Sequence, residues 1–232
     1  LFWKDHDINL LILDGSLSPI QELLDCTGGN CRYVHLPISI EERFGIAAQM
    51  VDTKYAAMLP DDEFFLPSSL KTIICFLENN PSYSACKGNA LGFELDSAGK
   101  IFGRQAYQDL KDYDLNDEDP RIRMKRHMYP YVMASLWAVH RVEVLKVSLK
   151  LASERSAYST AAAFEAQVSL VTACNGKVKV VNELMWLRSF GNGYVWWAFG
   201  NLPLARWFKN PKYSSEVNQF IGDLGKVTGE KN

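Results

Sequence analysis

The chain has 232 residues, of which 47% are hydrophobic, and this is enough to bury a substantial core in one α/β domain. Its formal net charge is −2, so no overall charge favours nucleic acid or an anionic membrane as a partner. No window approaches the roughly 20 apolar residues that cross a bilayer as a helix, and no signal peptide is visible.

The five cysteines and four histidines show no metal-binding spacing. The cysteine count is odd, no CxxC occurs, and Cys75 and Cys174 lie in apolar runs where a reduced thiol acts as a small hydrophobe. This usage favours a reducing compartment, and we expect a cytoplasmic protein. The histidines lack HExxH or similar spacing, so a structural zinc site is not expected.

The first third of the sequence alternates apolar runs with amphipathic segments. Strands are predicted at 8–16, 31–37 and 54–59, and each precedes a predicted helix, at 18–26, 39–51 and 67–80. Ser39 and Glu42 have the spacing of a capping box at the start of the second helix. Such alternation predicts a parallel sheet flanked by helices, which binds ligands beyond the carboxyl ends of its strands.

The pattern changes after residue 82. A β-hairpin is predicted over 83–104, and the acidic-then-basic stretch 109–127 is predicted to be a long loop. A strand leading into a helix (131–149), a helix (157–176), a strand (177–187) and a tail rich in glycine and aromatic residues (191–208) follow. No repeat and no linker is visible, so we predict one domain.

Three adjacent acids, Asp61, Asp62 and Glu63, lie between two apolar runs. Ionised carboxylates that are buried without partners cost several kcal/mol each, so either water or a cation must compensate them. At the end of a strand they present the oxygen ligands that Mg²⁺ or Mn²⁺ prefers. The alternative is that they only solvate a turn and cap the helix at 67. Asp14 closes the first predicted strand and is expected at the same edge of the sheet.

The surroundings of these acids resemble the metal-binding region of GT-A fold glycosyltransferases. The likeness is closest to the bacterial branch of family 2-like enzymes that carry a DDDxxxP signature, a DXD-type motif. It rests on "DDEFFLP" at 61–67, "ENNP" at 78–81, Gly88 and, upstream, "LLILDGS" at 10–16. It is specific over residues 8–93 and vaguer beyond them.

The resemblance implies a GT-A-like, Rossmann-like three-layer α/β sandwich with a mostly parallel central sheet. Residues 1–232 would form one glycosyltransferase domain, with the nucleotide-sugar and metal half at 1–93 and the acceptor half at 94–232. The family's first strand would precede residue 1.

The implied activity is that of a metal-dependent, inverting glycosyltransferase, which moves a hexosyl-type sugar from a nucleoside-diphosphate donor to the hydroxyl of a glycan or another acceptor. The implied cofactor is Mn²⁺ or Mg²⁺. Asp14 would contact the nucleotide, and Asp61 and Asp62 would contact ribose and metal. Glu63, where the family usually has Asp, would also bind the ion, and Arg188 would approach the diphosphate.

An inverting transferase needs a carboxylate that deprotonates the acceptor hydroxyl, and the family supplies it near the start of a helix in the second half. Glu165 is the preferred candidate, because it is the only charge in an apolar helix and such an acid is expected to have a raised pKa. The alternative is that Glu165 lies on the solvent edge, since Gln167 shows that the helix has a polar side. Glu154 and Asp119 are weaker candidates.

Two further features have both a functional and a structural interpretation. The basic cluster at 121–127 either binds an anion or is a solvated loop. Four tryptophans in the second half also have two interpretations: Trp186, Trp196, Trp197 and Trp207. In the functional interpretation they stack on a sugar or contact a membrane surface peripherally. In the structural interpretation they pack the end of the domain. The rival functions are a sugar nucleotidyltransferase, whose usual glycine-rich loop is not visible, and a non-catalytic carbohydrate-binding relative.

Overall fold

The computed structural model describes residues 6–24, 29–154, 158–190 and 202–229, in which helices pack against a sheet. The strands are β1 (Leu10–Asp14), β2 (Cys31–His35), β3 (Tyr55–Ala56), β4 (Phe64–Phe65), β5 (Tyr83–Leu95), β6 (Ile101–Ala106), β7 (Asp114–Leu115), β8 (Val139–Arg141) and β9 (Lys177–Ser189). The helices are α1 (Ile40–Met50), α2 (Pro67–Asn79), α3 (Pro120–Met128), α4 (Val142–Ser153), α5 (Ala161–Asn175), α6 (Leu204–Lys209) and α7 (Ser214–Thr228).

The sheet is mixed, with the order β3-β8-β5-β9-β4, β6 beside β5 and β7 beside β9; β1 and β2 form a separate parallel pair. Within the main sheet, β5 and β9 pair in parallel, whereas the other pairs are antiparallel. The predicted α/β class is therefore confirmed, but the expected mostly parallel pairing is not. The short turn between β5 and β6 allows only an antiparallel pair, because a parallel pair needs a long crossover connection.

Local sequence signals account for several helix boundaries. Ser39 and Glu42 form the predicted capping box, in which the Glu42 N–H donates to Ser39 Oγ at 3.2 Å and Glu42 Oε2 accepts from the Ser39 N–H at 3.1 Å. Pro67 occupies the first position of α2, where a missing N–H costs nothing. Thr160 caps α5 by accepting from the Ala162 N–H.

Two predicted elements differ from the structure. The helix expected over 18–26 is a short 3₁₀ turn at Gln21–Leu23 in its described part. The loop expected over 109–127 contains β7 and the helix α3, which begins after Asp119, whose side chain accepts from the Arg121 N–H at 2.8 Å. The many charges of this segment favoured the prediction of a loop, although Asp119 and Pro120 form a helix start with an N-cap and a proline at the first helical position.

Burial of Arg123 explains why a strongly charged segment is helical. Its Nε donates to the Ala173 carbonyl at 2.7 Å and Nη2 donates to the Cys174 carbonyl at 3.0 Å, while Nη1 donates to the carbonyls of Asp117 and Glu118. The guanidinium thus satisfies carbonyls at the end of α5, which the helix leaves without partners. Arg123 is a structural residue and not part of an exposed anion-binding cluster.

The main core lies between β5, β9 and α2, where Trp186, Met185, Ile73 and Leu77 are fully buried. A second cluster joins α5 to the C-terminal helices through Trp207, which is also fully buried. Trp186 and Trp207 therefore pack the interior, whereas Trp196 and Trp197 lie outside the described residues. No helix in the described ranges is long and apolar enough to cross a membrane.

The cysteines differ from the sequence expectation at one position. Cys31 is in a disulfide, whereas Cys75, Cys86 and Cys174 are free. Disulfides are rare in reducing compartments. The Cys31 disulfide therefore argues against the reducing compartment that the cysteine pattern favoured, and cytoplasmic localisation stays a prediction.

We expect Gly88→Ala to lower the free energy of unfolding by roughly 1–3 kcal/mol, the usual cost of overpacking a core. A Cβ at this position would lie 2.4 Å from the Glu183 carbonyl oxygen and 2.6 Å from Met185 Cβ, on the adjacent strand β9. Gly103→Ala is the matched control, since its nearest neighbouring atom would be 4.0 Å away. Urea denaturation of both variants measures the difference, and equal stabilities would contradict the close approach of β5 and β9.

Candidate functional site

The acidic turn follows β3 and leads directly into β4. Phe64 and Phe65 pair antiparallel with Leu187 and Trp186 of β9, and the Leu66 N–H donates to the Met185 carbonyl at 2.8 Å. These bonds attach the turn to the carboxyl-terminal half of β9. Open α/β sheets bind ligands in that location.

The three acids of this turn lie in different environments. Asp61 is exposed, Asp62 is half-buried and Glu63 is 9% exposed. None of them caps α2, because its N-cap is Leu66 and makes no side-chain hydrogen bond. The capping interpretation of the acids is therefore wrong, while the turn itself is confirmed.

Glu63 belongs to a buried charged cluster. Its Oε2 accepts a hydrogen bond from Trp186 Nε1 at 2.5 Å, and its Oε1 lies 3.8 Å from Arg188 Nε. Lys87, which is fully buried, donates from Nζ to the Met133 carbonyl at 3.1 Å and lies 4.1 Å from the centroid of the Trp186 ring. Burial raises the pKa of Glu63 to about 7 and lowers the pKa of Lys87 to about 7. The attraction between the carboxylate and the ammonium opposes both shifts, because it stabilises the charged form of each group.

Sequence reasoning missed Lys87. It is the one charge in "YSACKGNALG", the apolar first part of β5. A lone lysine inside a buried strand is uncommon unless it has a partner. The isolation of Lys87 among apolar residues could have indicated a buried charge. The sequence does not show that the opposite charge comes from Glu63, which lies in the turn before β4.

Arg188 lies at the edge of the same cluster. Its side chain is 25% exposed, and its guanidinium lies 5.0 Å from the ring of Tyr107 and 5.4 Å from that of Phe190. Tyr107 in turn stacks on Trp186 with 5.3 Å between ring centroids. The aromatic rings hold a cation that is still partly accessible to an anionic ligand.

A polar cavity of about 190 Å³ opens beside Tyr107. Register shifts between β5 and β9 bring Asn89 against Asn182, with Asn89 Nδ2 donating to Asn182 Oδ1 at 3.0 Å. Other polar residues that line the cavity are Gln105, Gln108 and Lys111. Amide groups beside an aromatic ring can bind a ligand rich in hydroxyl groups.

Asp14 is held by its own turn at the end of β1. One carboxylate oxygen accepts from the Ser16 N–H at 2.9 Å and the Ser16 hydroxyl at 2.5 Å, and the other accepts from the Ile20 N–H at 3.1 Å and the Tyr33 hydroxyl. These bonds, led by the Ser16 hydroxyl, lower the pKa of Asp14 well below its ordinary value. Asp14 is therefore a charged residue that orders the turn, and its contact with a nucleotide stays a prediction.

Glu165 is buried in α5, with 8% exposure, so the solvent-edge interpretation is wrong. Within the described ranges, Glu165 Oε1 has no hydrogen-bond partner. Burial raises the pKa of Glu165 to about 7, and burial, followed by the charge of Glu165, raises the pKa of Tyr131. A buried carboxylate with a pKa near neutrality suits a general base.

The two weaker candidates for the base have ordinary structural surroundings. Asp119 caps α3. Glu154 is exposed and lies 3.6 Å from Lys150 one helical turn away. Neither shares the buried environment of Glu165.

The sequence matches no family model and no curated protein, but the fold matches solved structures. A crystal structure of TarS residues 1–349 from S. aureus superposes with a TM-score of 0.54 at 13% identity, covering 95% of this chain and 71% of that one. A structure of the same TarS segment in complex with UDP-GlcNAc gives a TM-score of 0.55 at 14% identity, covering 94% of this chain and 71% of that one. At this identity the likeness establishes architecture: the chain has the α/β, GT-A-like fold of the glycosyltransferase TarS.

Proposed function

We propose that this chain is a glycosyltransferase that takes a sugar from a nucleoside-diphosphate donor and transfers it to a hydroxyl of a glycan or another acceptor. The observation that carries the proposal is the fold shared with TarS 1–349 over 94% of this chain, since that protein was crystallised with UDP-GlcNAc. The acidic turn at residues 61–63, which the sequence analysis singled out and which lies beside β9, supports the proposal independently of the comparison with TarS.

A divalent ion fits this site only in combination with the donor. Within the described ranges, no group of three His, Cys, Asp or Glu side chains is arranged to hold a metal. Asp61 and Asp62 offer two carboxylates at an accessible turn, and Mg²⁺ or Mn²⁺ commonly uses one or two carboxylates together with substrate phosphates. When bound, the ion would neutralise charge on the departing diphosphate.

The remaining steps depend on the chain's own side chains. In our proposal Asp61 contacts the donor ribose, Asp62 binds the ion, and the partly exposed guanidinium of Arg188 binds the diphosphate. Glu165 accepts the proton of the acceptor hydroxyl as that oxygen attacks the anomeric carbon. A single displacement of this kind inverts the configuration at that carbon.

Titration calorimetry with UDP-GlcNAc, with and without Mn²⁺, tests the proposal. We expect metal-dependent binding and release of free UDP, and we expect Asp62→Asn to weaken binding about tenfold or more, as loss of a carboxylate that supports a metal does. Asp52→Asn, a change of an exposed aspartate that precedes β3, is the control and should bind like the wild type.

Two other results, the second from an assay with different substrates, would favour the rival functions. Metal-independent binding of the sugar alone would indicate a carbohydrate-binding relative. Production of pyrophosphate from a nucleoside triphosphate and a sugar phosphate would indicate a nucleotidyltransferase.

A further inference from the structure

The direction of the Glu63 side chain distinguishes it from the two acids before it. Glu63 immediately precedes β4, where successive side chains point to opposite faces. Glu63 and Phe65 are buried, whereas Phe64 between them is exposed. The alternation of the strand therefore turns the Glu63 carboxylate inward, away from the exposed side of the turn where Asp61 lies.

The inward carboxylate already has one hydrogen bond and one ion-pair contact. Oε2 accepts from the buried indole N–H of Trp186 at 2.5 Å, and Oε1 lies 3.8 Å from Arg188 Nε. The fully buried cation of Lys87 lies over the same indole ring, 4.1 Å from its centroid. If Glu63 turned outward to a metal, a buried N–H would lose its acceptor and the buried Lys87 ammonium would lose the carboxylate that most favours its charge, and both changes are costly.

We infer that Glu63 is a positioning residue and not a metal ligand. It fastens the acidic turn to Trp186 on β9 and holds Arg188 beside that turn, so that Asp61 and Asp62 face the donor. The metal-binding part of this inference rests on the proposed function. The fastening of the turn does not, because it follows from contacts within the chain.

Glu63→Gln and Glu63→Asp separate the two roles, because they remove different properties. Glutamine keeps the length and an oxygen that accepts from Trp186, but it loses the charge that a metal ligand needs. Aspartate keeps the charge, but it is one methylene shorter and withdraws from Trp186. A metal ligand would tolerate Asp better than Gln, whereas a fastening residue would tolerate Gln better than Asp.

The measurement is the Mn²⁺ affinity of each variant in the presence of UDP, from the electron paramagnetic resonance signal of free Mn²⁺. We expect Glu63→Gln to stay close to the wild type and Glu63→Asp to bind more weakly. We expect Asp62→Asn to lose about tenfold or more. A higher Mn²⁺ affinity in Glu63→Asp than in Glu63→Gln, or an equal loss in both, would overturn the inference.

Thermal unfolding without ligand tests the fastening by itself. In a Lys87→Met background, where loss of the Glu63 charge leaves no buried ammonium without its anion, Glu63→Asp should melt below Glu63→Gln by roughly 2–4 °C, the shift expected for one lost hydrogen bond in a chain of this size, and the reverse order would contradict the contact with Trp186. If Glu63→Gln alone does not fold, both variants are compared in the same Lys87→Met background in the Mn²⁺ measurement. A wild type that binds neither UDP nor Mn²⁺ would refute the proposed function, while the order of melting temperatures would still decide the role of Glu63.

Discussion

Replacing Glu165 by glutamine is expected to lower the turnover of sugar transfer by about 10²- to 10⁴-fold, the usual contribution of a positioned general base. Glutamine has the same shape but cannot accept the acceptor's proton. Donor binding should be retained, because Glu165 is assigned to the acceptor and not to the nucleotide. Turnover with UDP-GlcNAc and calorimetric affinity for the donor together measure the change.

The dependence on pH gives this prediction a second signature. With its pKa raised to about 7, Glu165 becomes a base only as the pH rises through that value, so kcat/KM of the wild type should increase through about pH 7. Stability should change in the opposite direction. Because the folded state binds this proton more tightly than the unfolded state does, the contribution of Glu165 to the free energy of unfolding should fall as pH rises from about 4.5 to about 7.

Glu165→Gln should abolish the rise of kcat/KM and the share of the stability slope that comes from Glu165, while the share from Glu63, whose pKa burial also raises to about 7, remains. Above pH 7 the Glu165→Gln variant should be more stable than the wild type by at most about 3 kcal/mol, because position 165 then carries no buried charge. A variant that is more stable and almost inactive is the result expected for a buried catalytic carboxylate whose charge is costly to the fold. If Glu165→Gln keeps its activity and Glu154→Gln loses it, the base is Glu154 and the assignment of Glu165 is wrong.

Replacing Arg123 by alanine is expected to lower the free energy of unfolding by about 3 kcal/mol or more, because charged hydrogen bonds are lost and buried carbonyls keep no partner. Those carbonyls belong to Ala173 and Cys174 at the end of α5 and to Asp117 and Glu118 before α3. For a chain of this size the melting temperature should fall by roughly 6–12 °C. Urea denaturation and calorimetry measure the two quantities.

Lys125→Ala is the matched control for Arg123→Ala. Lys125 lies in the same helix and carries the same charge, but its side chain is exposed. Surface substitutions of this kind usually change stability by about 0.5 kcal/mol or less. Similar losses for both variants would show that the basic cluster acts through its total charge, and the structural role of Arg123 would then be wrong.

The elements that were predicted well depend on neighbours within a few residues. The capping box at Ser39, the proline at the start of α2 and the alternation of the β5–β6 hairpin are all local signals. The turn that holds Asp61 and Asp62 was found for the same reason, because adjacent acids between apolar runs require water or a cation. A burial-raised pKa for Glu165 was also predictable, since no other charge interrupts its apolar helix.

What the sequence by itself determined is therefore the set of local elements, the acidic turn and the isolated acid of α5. Only the tertiary structure decided that Glu63 points inward to Trp186, that Lys87 is buried near it, and that Arg123 satisfies the end of α5. These contacts join residues far apart in the chain: Arg123 and Ala173 are 50 positions apart, and Glu63 and Trp186 are 123 positions apart. No local pattern specifies such partners, because a buried charge is stable only when another element supplies the opposite charge or the hydrogen bond.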